Sequence, residues 1–170
     1  MQHLYFVRHG LSVMNILGRF SGRTDTPLAP EGIEQAKVAG QQAASLDIDL
    51  IVTSPMERAL ETAKIMAQQM GYDQSKIVIN DLFMEREFGS LEGKKYSKTR
   101  DLEGFDGVET VAQILDRAQQ GIDFLNQQQA TTILVVSHGA TGRALRHLLN
   151  PEAPFDYPAG FGNAVIVKLL

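Results

Sequence analysis

Arg8-His9-Gly10 follows directly on the apolar run Leu4-Tyr5-Phe6-Val7. A neutral imidazole can attack phosphorus, and an arginine beside it supplies a permanent charge with a fork of donors, so this triplet at a strand's end suggests phosphoryl chemistry. The arrangement recurs late in the chain, where Ile133-Leu134-Val135-Val136-Ser137 runs into His138-Gly139. A third apolar run, Leu50-Ile51-Val52, leads through Thr53-Ser54 into Pro55-Met56-Glu57-Arg58. The Ser54-x-x-Glu57 spacing with Pro55 at the first helical position reads as a capping box, which predicts a helix from residue 55 and puts Arg58 in its first turn. Reactive groups in open α/β sheets gather beyond the carboxyl ends of the strands. Three distant stretches thus deliver Arg8, His9, Arg58 and His138 to one sheet edge.

The elements that must hold these residues alternate along the chain. Residues 31–46 carry Ile33, Ala36, Ala39, Ala43 and Leu46 at helical spacing, with Pro30 and Glu31 as start signals. Residues 55–70 repeat the pattern and Gly71 closes it as a C-terminal cap. Ile77-Val78-Ile79 reads as a short strand, residues 83–100 break into glycines and charges, and Val111, Ile114, Leu115, Ala118, Ile122 and Leu125 form the most regular apolar stripe. A helix over 140–149 and a strand over 164–167 complete the series. Apolar strands interleaved with amphipathic helices predict an α/β fold, a three-layer α/β/α sandwich around a mostly parallel central sheet, with residues 1–170 as a single domain.

Composition bounds the function. The 170 residues include no cysteine, which excludes disulfides, thiolate catalysis and Cys-based zinc sites. A formal net charge of −4 gives no general attraction to nucleic acid or anionic lipid. Arg8 interrupts the first apolar run too early for a leader peptide, and no apolar run approaches the roughly 18 residues of a membrane span. The expectation is a soluble cytoplasmic protein. Gly89 to Lys94 is one residue short of a P-loop and lacks its Ser or Thr. His3 and His147 fit no motif and read as structural, and the four histidines lack the close helical spacing of a zinc site.

Taken in order, five motifs carry a family resemblance: Arg8-His9-Gly10 with Asn15; Gly22 with Asp25-Thr26-Pro27-Leu28; Ser54-Pro55-x-x-Arg58-Ala59-x-x-Thr62-Ala63; Glu85-x-x-x-Gly89 with Glu92-Gly93; and Ser137-His138-Gly139. Together they resemble the histidine phosphatase superfamily, also called phosphoglycerate mutase-like, over nearly the whole chain. The resemblance implies that His9 is phosphorylated during turnover, that Arg8, Arg58 and His138 bind the phosphoryl group, and that Glu85 protonates the leaving oxygen. Asn15, Ser21 and Gly22 match positions bordering the phosphate, and Gly139 joins them beside His138. Glu87, two residues from Glu85, stays open as the rival acid, and Arg86 is a candidate ligand for a substrate anion. The implied scheme needs no metal and no cofactor, and its partner is a small phosphomonoester.

Mutase and phosphatase share this machinery. The stretch between Glu85 and His138 is short, whereas the mutases carry a longer insertion with carboxylate-gripping basic residues, so the chain resembles the compact phosphatases. A phosphoglycerate mutase and a catalytically silent phospho-ligand binder remain the alternatives. The basic stretch from Lys94 to Arg100 reads as a solvated helix face, with recognition of a second anionic group on the substrate as the alternative, and the oligomeric state stays open.

Overall fold

The computed structural model describes residues 1–96, 102–155 and 160–170. Five strands, β1 (His3–Arg8), β2 (Leu50–Thr53), β3 (Val78–Ile79), β4 (Thr132–Ser137) and β5 (Ile166–Lys168), form one sheet in the order β3-β2-β4-β1-β5. The first four are mutually parallel, and β5 lies antiparallel to β1 at the edge. Around the sheet pack α1 (Val13–Ile16), α2 (Pro30–Ala43), α3 (Glu57–Met70), α4 (Val111–Gln127) and α5 (Gly139–Leu149).

Side chains of a strand alternate between faces, and β4 divides its buried residues accordingly. Ile133 and Val135 join Leu4 and Phe6 of β1 in a core with Ile114, Ala118 and Leu125 of α4 and Ala144 and Leu145 of α5. Leu134 and Val136 join Val7 and Ile51 in a second core with Ala39 and Ala43 of α2 and Ala63, Met66 and Ala67 of α3. A helix pair therefore covers each face, which is the predicted sandwich with a mostly parallel sheet. Small residues let α2 and α3 approach closely, and a Cβ on Gly40 would come within 2.8 Å of the Met66 backbone.

Crossovers between parallel strands are right-handed, so the side a helix takes depends on the direction in which the chain steps across the sheet. From β1 the chain moves outward through β2 to β3, with α2 and α3 on one face. It then turns back to β4, with α4 and α5 on the other. Consequently the segments leaving the neighbouring strands β1 and β4 depart to opposite faces, and a crevice opens above their carboxyl ends.

Several features differ from the sequence expectation. Helix α2 stops at Ala43, short of Leu46, and Asp47 takes a left-handed φ of 48°. The last strand begins at Ile166 because Ala164, at φ 51°, turns to donate its N–H to the Arg8 carbonyl. Helix α3 starts at Glu57, not at residue 55, and the capping box does not form. Instead both carboxylate oxygens of Asp25 accept the Glu57 N–H at 3.0 and 3.2 Å, while the Ser54 hydroxyl accepts from Met56. The basic stretch is not a helix face where it is described: Lys95 pairs with Arg19 in an extended bridge, and residues 97–100 lie outside the described residues. Among the described residues no helix is long and apolar enough to cross a membrane.

One contact fixes how the chain leaves β1. A Cβ on Gly10 would overlap the Gly32 carbonyl, and one on Gly32 would overlap the Leu11 backbone. Backbone here meets backbone, with no flexible side chain to yield. Gly32→Ala should therefore cost about 1–3 kcal/mol of stability by overpacking, read as a lowered urea midpoint with an unchanged slope; a midpoint within error of the parent would refute the tight contact.

Candidate active site

Above the carboxyl ends of β1 and β4 lies a cavity of about 310 Å³ lined by Arg8, His9, Asn15, Ser21, Gly22, Arg58, Glu85 and Gly139, together with Phe20, Phe88, Tyr96, Leu102, Ala140 and Arg143. Eight of the ten residues predicted from sequence meet there.

His9 is 3% exposed and its Nδ1 lies 2.7 Å from the carbonyl of Gly10. A carbonyl can only accept, so Nδ1 carries the proton and Nε2 keeps its lone pair. The carbonyl is itself positioned, because the Gly10 N–H donates to the Thr62 hydroxyl and that hydroxyl donates to the Arg58 carbonyl. From the far side, Asn163 Nδ2 donates to the His9 carbonyl at 2.9 Å. Burial, and then the charges of Arg58 and Arg8, hold the His9 pKa well below its ordinary value of 6.5. The ring is thus neutral near pH 7, with Nε2 unprotonated.

Arg58 is 1% exposed. Burial works against its charge and lowers its pKa, opposed chiefly by the carboxylates of Glu85 and Asp25. Its Nη2 donates to the Gly22 carbonyl at 2.7 Å, its Nη1 donates to the Thr24 carbonyl at 3.1 Å, and Asp25 stands 4.0 Å away. Those acceptors sit on one loop, folded over the Glu92 carboxylate, which accepts from the backbone of Arg23, Thr24 and Phe88. Gly22 has φ 52°, and a Cβ on it would overlap that carboxylate. Arg8 donates through Nη1 to the Phe161 carbonyl.

His138 is fully buried behind His9, with ring centroids 5.2 Å apart, and does not itself line the cavity. Its Nε2 shares a 2.8 Å hydrogen bond with Ser54 Oγ. Burial, followed by Arg58, His9 and Arg8, pushes its pKa well below 6.5. Among the described residues, Arg8 Nε, Arg58 Nε, His138 Nδ1 and Ser21 Oγ are buried without a hydrogen-bond partner. Buried polar groups are rarely left so, and four at one site point to an oxygen-rich ligand.

Glu85 accepts from three backbone N–H groups, those of Arg86 at 2.9 Å, Ala140 at 3.1 Å and Thr141 at 3.4 Å, the last two in the first turn of α5. Its segment is clamped from three elements. Ser137 Oγ donates to the Phe83 carbonyl, Thr141 Oγ1 to that of Met84, and Arg117 Nη1 to those of Leu82 and Met84. Arg117 is held in turn by two 2.9 Å bonds to the Glu109 carboxylate. Glu87, the rival acid, is exposed and 3.8 Å from Arg23.

Arg86 is a correction. It is outside the cavity lining; its Nε donates to the Glu109 carbonyl at 2.7 Å and its Nη2 lies 3.8 Å from Glu103. Sequence reasoning also missed Arg143, one turn along α5 from Gly139, and the apolar wall of Phe20, Phe88, Tyr96 and Leu102. The helical spacing of Arg143 from Gly139 was the available signal for the first. For the wall there was none, since its rings, with Phe20 5.0 Å from both Phe88 and Tyr96, come from separate loops.

Comparison with known proteins follows the same lines. The profile of the histidine phosphatase superfamily (branch 1) matches residues 4–169. The chain is similar to an uncharacterized phosphatase of Bacillus subtilis, with 34% identity over 85% of this chain and 76% of the relative. It is similar also to a probable phosphoglycerate mutase of Salmonella choleraesuis, with 32% identity over 82% of this chain and 70% of the relative. Among solved structures, an open reading frame product of Mycobacterium tuberculosis superposes with a TM-score of 0.83 at 29% identity, covering 98% of this chain and 90% of that one.

Two buried neutral histidines make the fold acid-sensitive. Each has a folded pKa below its unfolded value of about 6.5, so below that pH the unfolded chain binds more protons and stability is lost as pH falls. Between pH 6.5 and 5 the unfolding free energy should approach a slope of about 1.4 kcal/mol per pH unit for each histidine. His138→Gln should remove one histidine's share in urea titrations across that range, and an unchanged slope would place the ring in water.

Proposed function

The chain belongs to the histidine phosphatase superfamily, branch 1, and from that membership we propose that it is a metal-independent phosphomonoesterase working through a phosphohistidine on His9. The observation that carries this reading is the set of unpartnered buried nitrogens of Arg8 and Arg58 around a neutral His9 whose Nδ1 is already committed.

In the proposed first step His9 Nε2 attacks phosphorus, the bond from phosphorus to the ester oxygen breaks, and Glu85 gives its proton to the departing oxygen. A substrate bound as the monoanion can deliver that proton to Glu85. Arg8, Arg58 and His138 take the equatorial oxygens, on which the charge stays spread through the transition state. Arginine suits the task because its fork spans two oxygens and keeps its proton at working pH. Asn15, Ser21, Gly22 and Gly139 border the same group. In the second step water attacks the phosphohistidine, its proton passes to the Glu85 carboxylate, and inorganic phosphate departs with Nε2 free again.

A phosphatase is favoured over a mutase by the short segment between Glu85 and His138, which among the described residues holds the 3-10 turn Gly89–Leu91 ahead of α4. That leaves little to shield a phosphohistidine from water.

Phosphate release from a panel of phosphomonoesters, in EDTA, with isomerisation of 3-phosphoglycerate followed in parallel, tests the reading. Release without isomerisation is expected; rapid isomerisation with little release would make the enzyme a mutase, and inhibition by EDTA reversed by magnesium would overturn the metal-free scheme. His9→Ala should abolish turnover with a normal thermal melt. Glu85→Gln should slow alkyl phosphates by roughly 10²- to 10⁴-fold, the typical worth of a positioned acid, and p-nitrophenyl phosphate far less, since its leaving group needs little protonation. Equal losses on both substrates would assign the acid elsewhere.

A further inference from the structure

We infer that Ser54 is a positioning residue whose hydroxyl donates to His138 Nε2 and so keeps the proton of that ring on Nδ1, the atom that meets the phosphoryl group. The inference rests on His138 as a phosphoryl ligand, and adds to that reading the tautomer it needs and the side chain that sets it.

Ser54 is fully buried just past the end of β2, 84 residues from His138 in sequence. Its backbone is pinned to β4, because its N–H donates to the Val136 carbonyl at 3.2 Å. Among the described residues its Oγ has two polar partners. The Met56 N–H donates to it at 3.2 Å, and His138 Nε2 stands 2.8 Å away. A backbone N–H can only donate, so the acceptor left for the hydroxyl proton is the Nε2 lone pair. Burial keeps the His138 ring neutral, and a neutral ring that accepts at Nε2 carries its proton on Nδ1.

The opposite tautomer fails twice. With the proton on Nε2, the Ser54 hydroxyl is sealed in without an acceptor, a costly loss for a buried donor. The ring would also offer an anion a lone pair. Nδ1 is buried and without a hydrogen-bond partner, and the ring stands in the field of Arg58, His9 and Arg8. A phosphoryl oxygen held there gives Nδ1–H the acceptor it lacks. Both histidines then bear their proton on Nδ1, to different ends. His9 spends that proton on the Gly10 carbonyl and offers phosphorus a lone pair; His138 spends its lone pair on Ser54 and offers an oxygen a proton.

Ring-nitrogen NMR of the histidine-labelled chain reads the tautomer directly, with the His138 signals assigned by their loss in His138→Gln. In the parent, free and with inorganic phosphate, Nδ1 should carry the proton and Nε2 none; a proton on Nε2 in either state overturns the assignment. In Ser54→Ala the free ring should populate both tautomers. Calorimetry on that variant should show inorganic phosphate bound roughly ten- to hundredfold more weakly, the worth of a hydrogen bond to a charged group. Ser54→Cys, close in shape and a weak donor, should recover part of both. A pure Nδ1–H tautomer that persists in Ser54→Ala, or an unchanged affinity, refutes the role. Should Ser54→Ala fail to fold, the parent spectrum still decides where the proton sits, and Ser54→Cys whether the hydroxyl holds it there. None of these readouts needs turnover, so a chain that hydrolyses nothing would sink the phosphatase reading and leave the tautomer to be judged by itself.

Discussion

A guanidinium sealed inside the protein organises the rest of the site. Arg58 is 1% exposed, and a cation so buried is costly unless acceptors surround it. They come from the loop that contributes the Gly22 and Thr24 carbonyls and the Asp25 carboxylate. Satisfying Arg58 therefore folds that loop over the sheet edge, and the folded loop brings Phe20 and Ser21 into the cavity wall. The same Asp25 caps the helix on which Arg58 stands. The charge then reaches both histidines, and with burial it keeps their rings neutral. One buried cation thus fixes a loop, starts a helix and adds to the burial that keeps the His9 ring neutral.

Glu85 depends on a different kind of support. Its backbone follows a short 3-10 turn with little structure of its own, yet the carbonyls of residues 82, 83 and 84 are each bound by a side chain from α4, β4 or α5. The carboxylate meanwhile rests on the N–H groups that open α5. His9 stands at the end of β1, and the segment of Glu85 is tied to Ser137 at the end of the neighbouring β4 and to α4 and α5, so the packed elements set their separation.

Much of this was legible in the sequence wherever the signal was local. Apolar runs ending in Arg8-His9, Thr53-Ser54 and Ser137-His138 located three strand ends, and the helical stripes located the two layers. What escaped was the use of residues across long separations. Ser54 reads as a cap from its neighbours, but its hydroxyl is paired with His138 and the capping falls to Asp25. Glu92 stands in the motif with Gly93 without a stated role and turns out to be the anchor for three backbone amides of two loops. Arg86 reads as a substrate ligand from its place beside Glu85, although its Nε donates to the Glu109 carbonyl and it stands outside the cavity lining. Arg143 carried only its helical spacing from Gly139, and Asn163 lacked any local mark, because its contact with His9 arises only when the approach to β5 docks against β1.

That last docking carries a consequence for how the molecule comes to life. Arg8 is tied to Phe161 and the backbone of His9 to Asn163, contacts that span 153 and 154 residues of chain. Bonds between such distant segments close late, after local helices and neighbouring strands have formed. A nascent or partly folded chain can hold its sheet and most of its helices and still present a nucleophile whose carbonyl and arginine partner are not yet anchored. Anchoring of Arg8 and His9 therefore waits on the segment that leads into the edge strand.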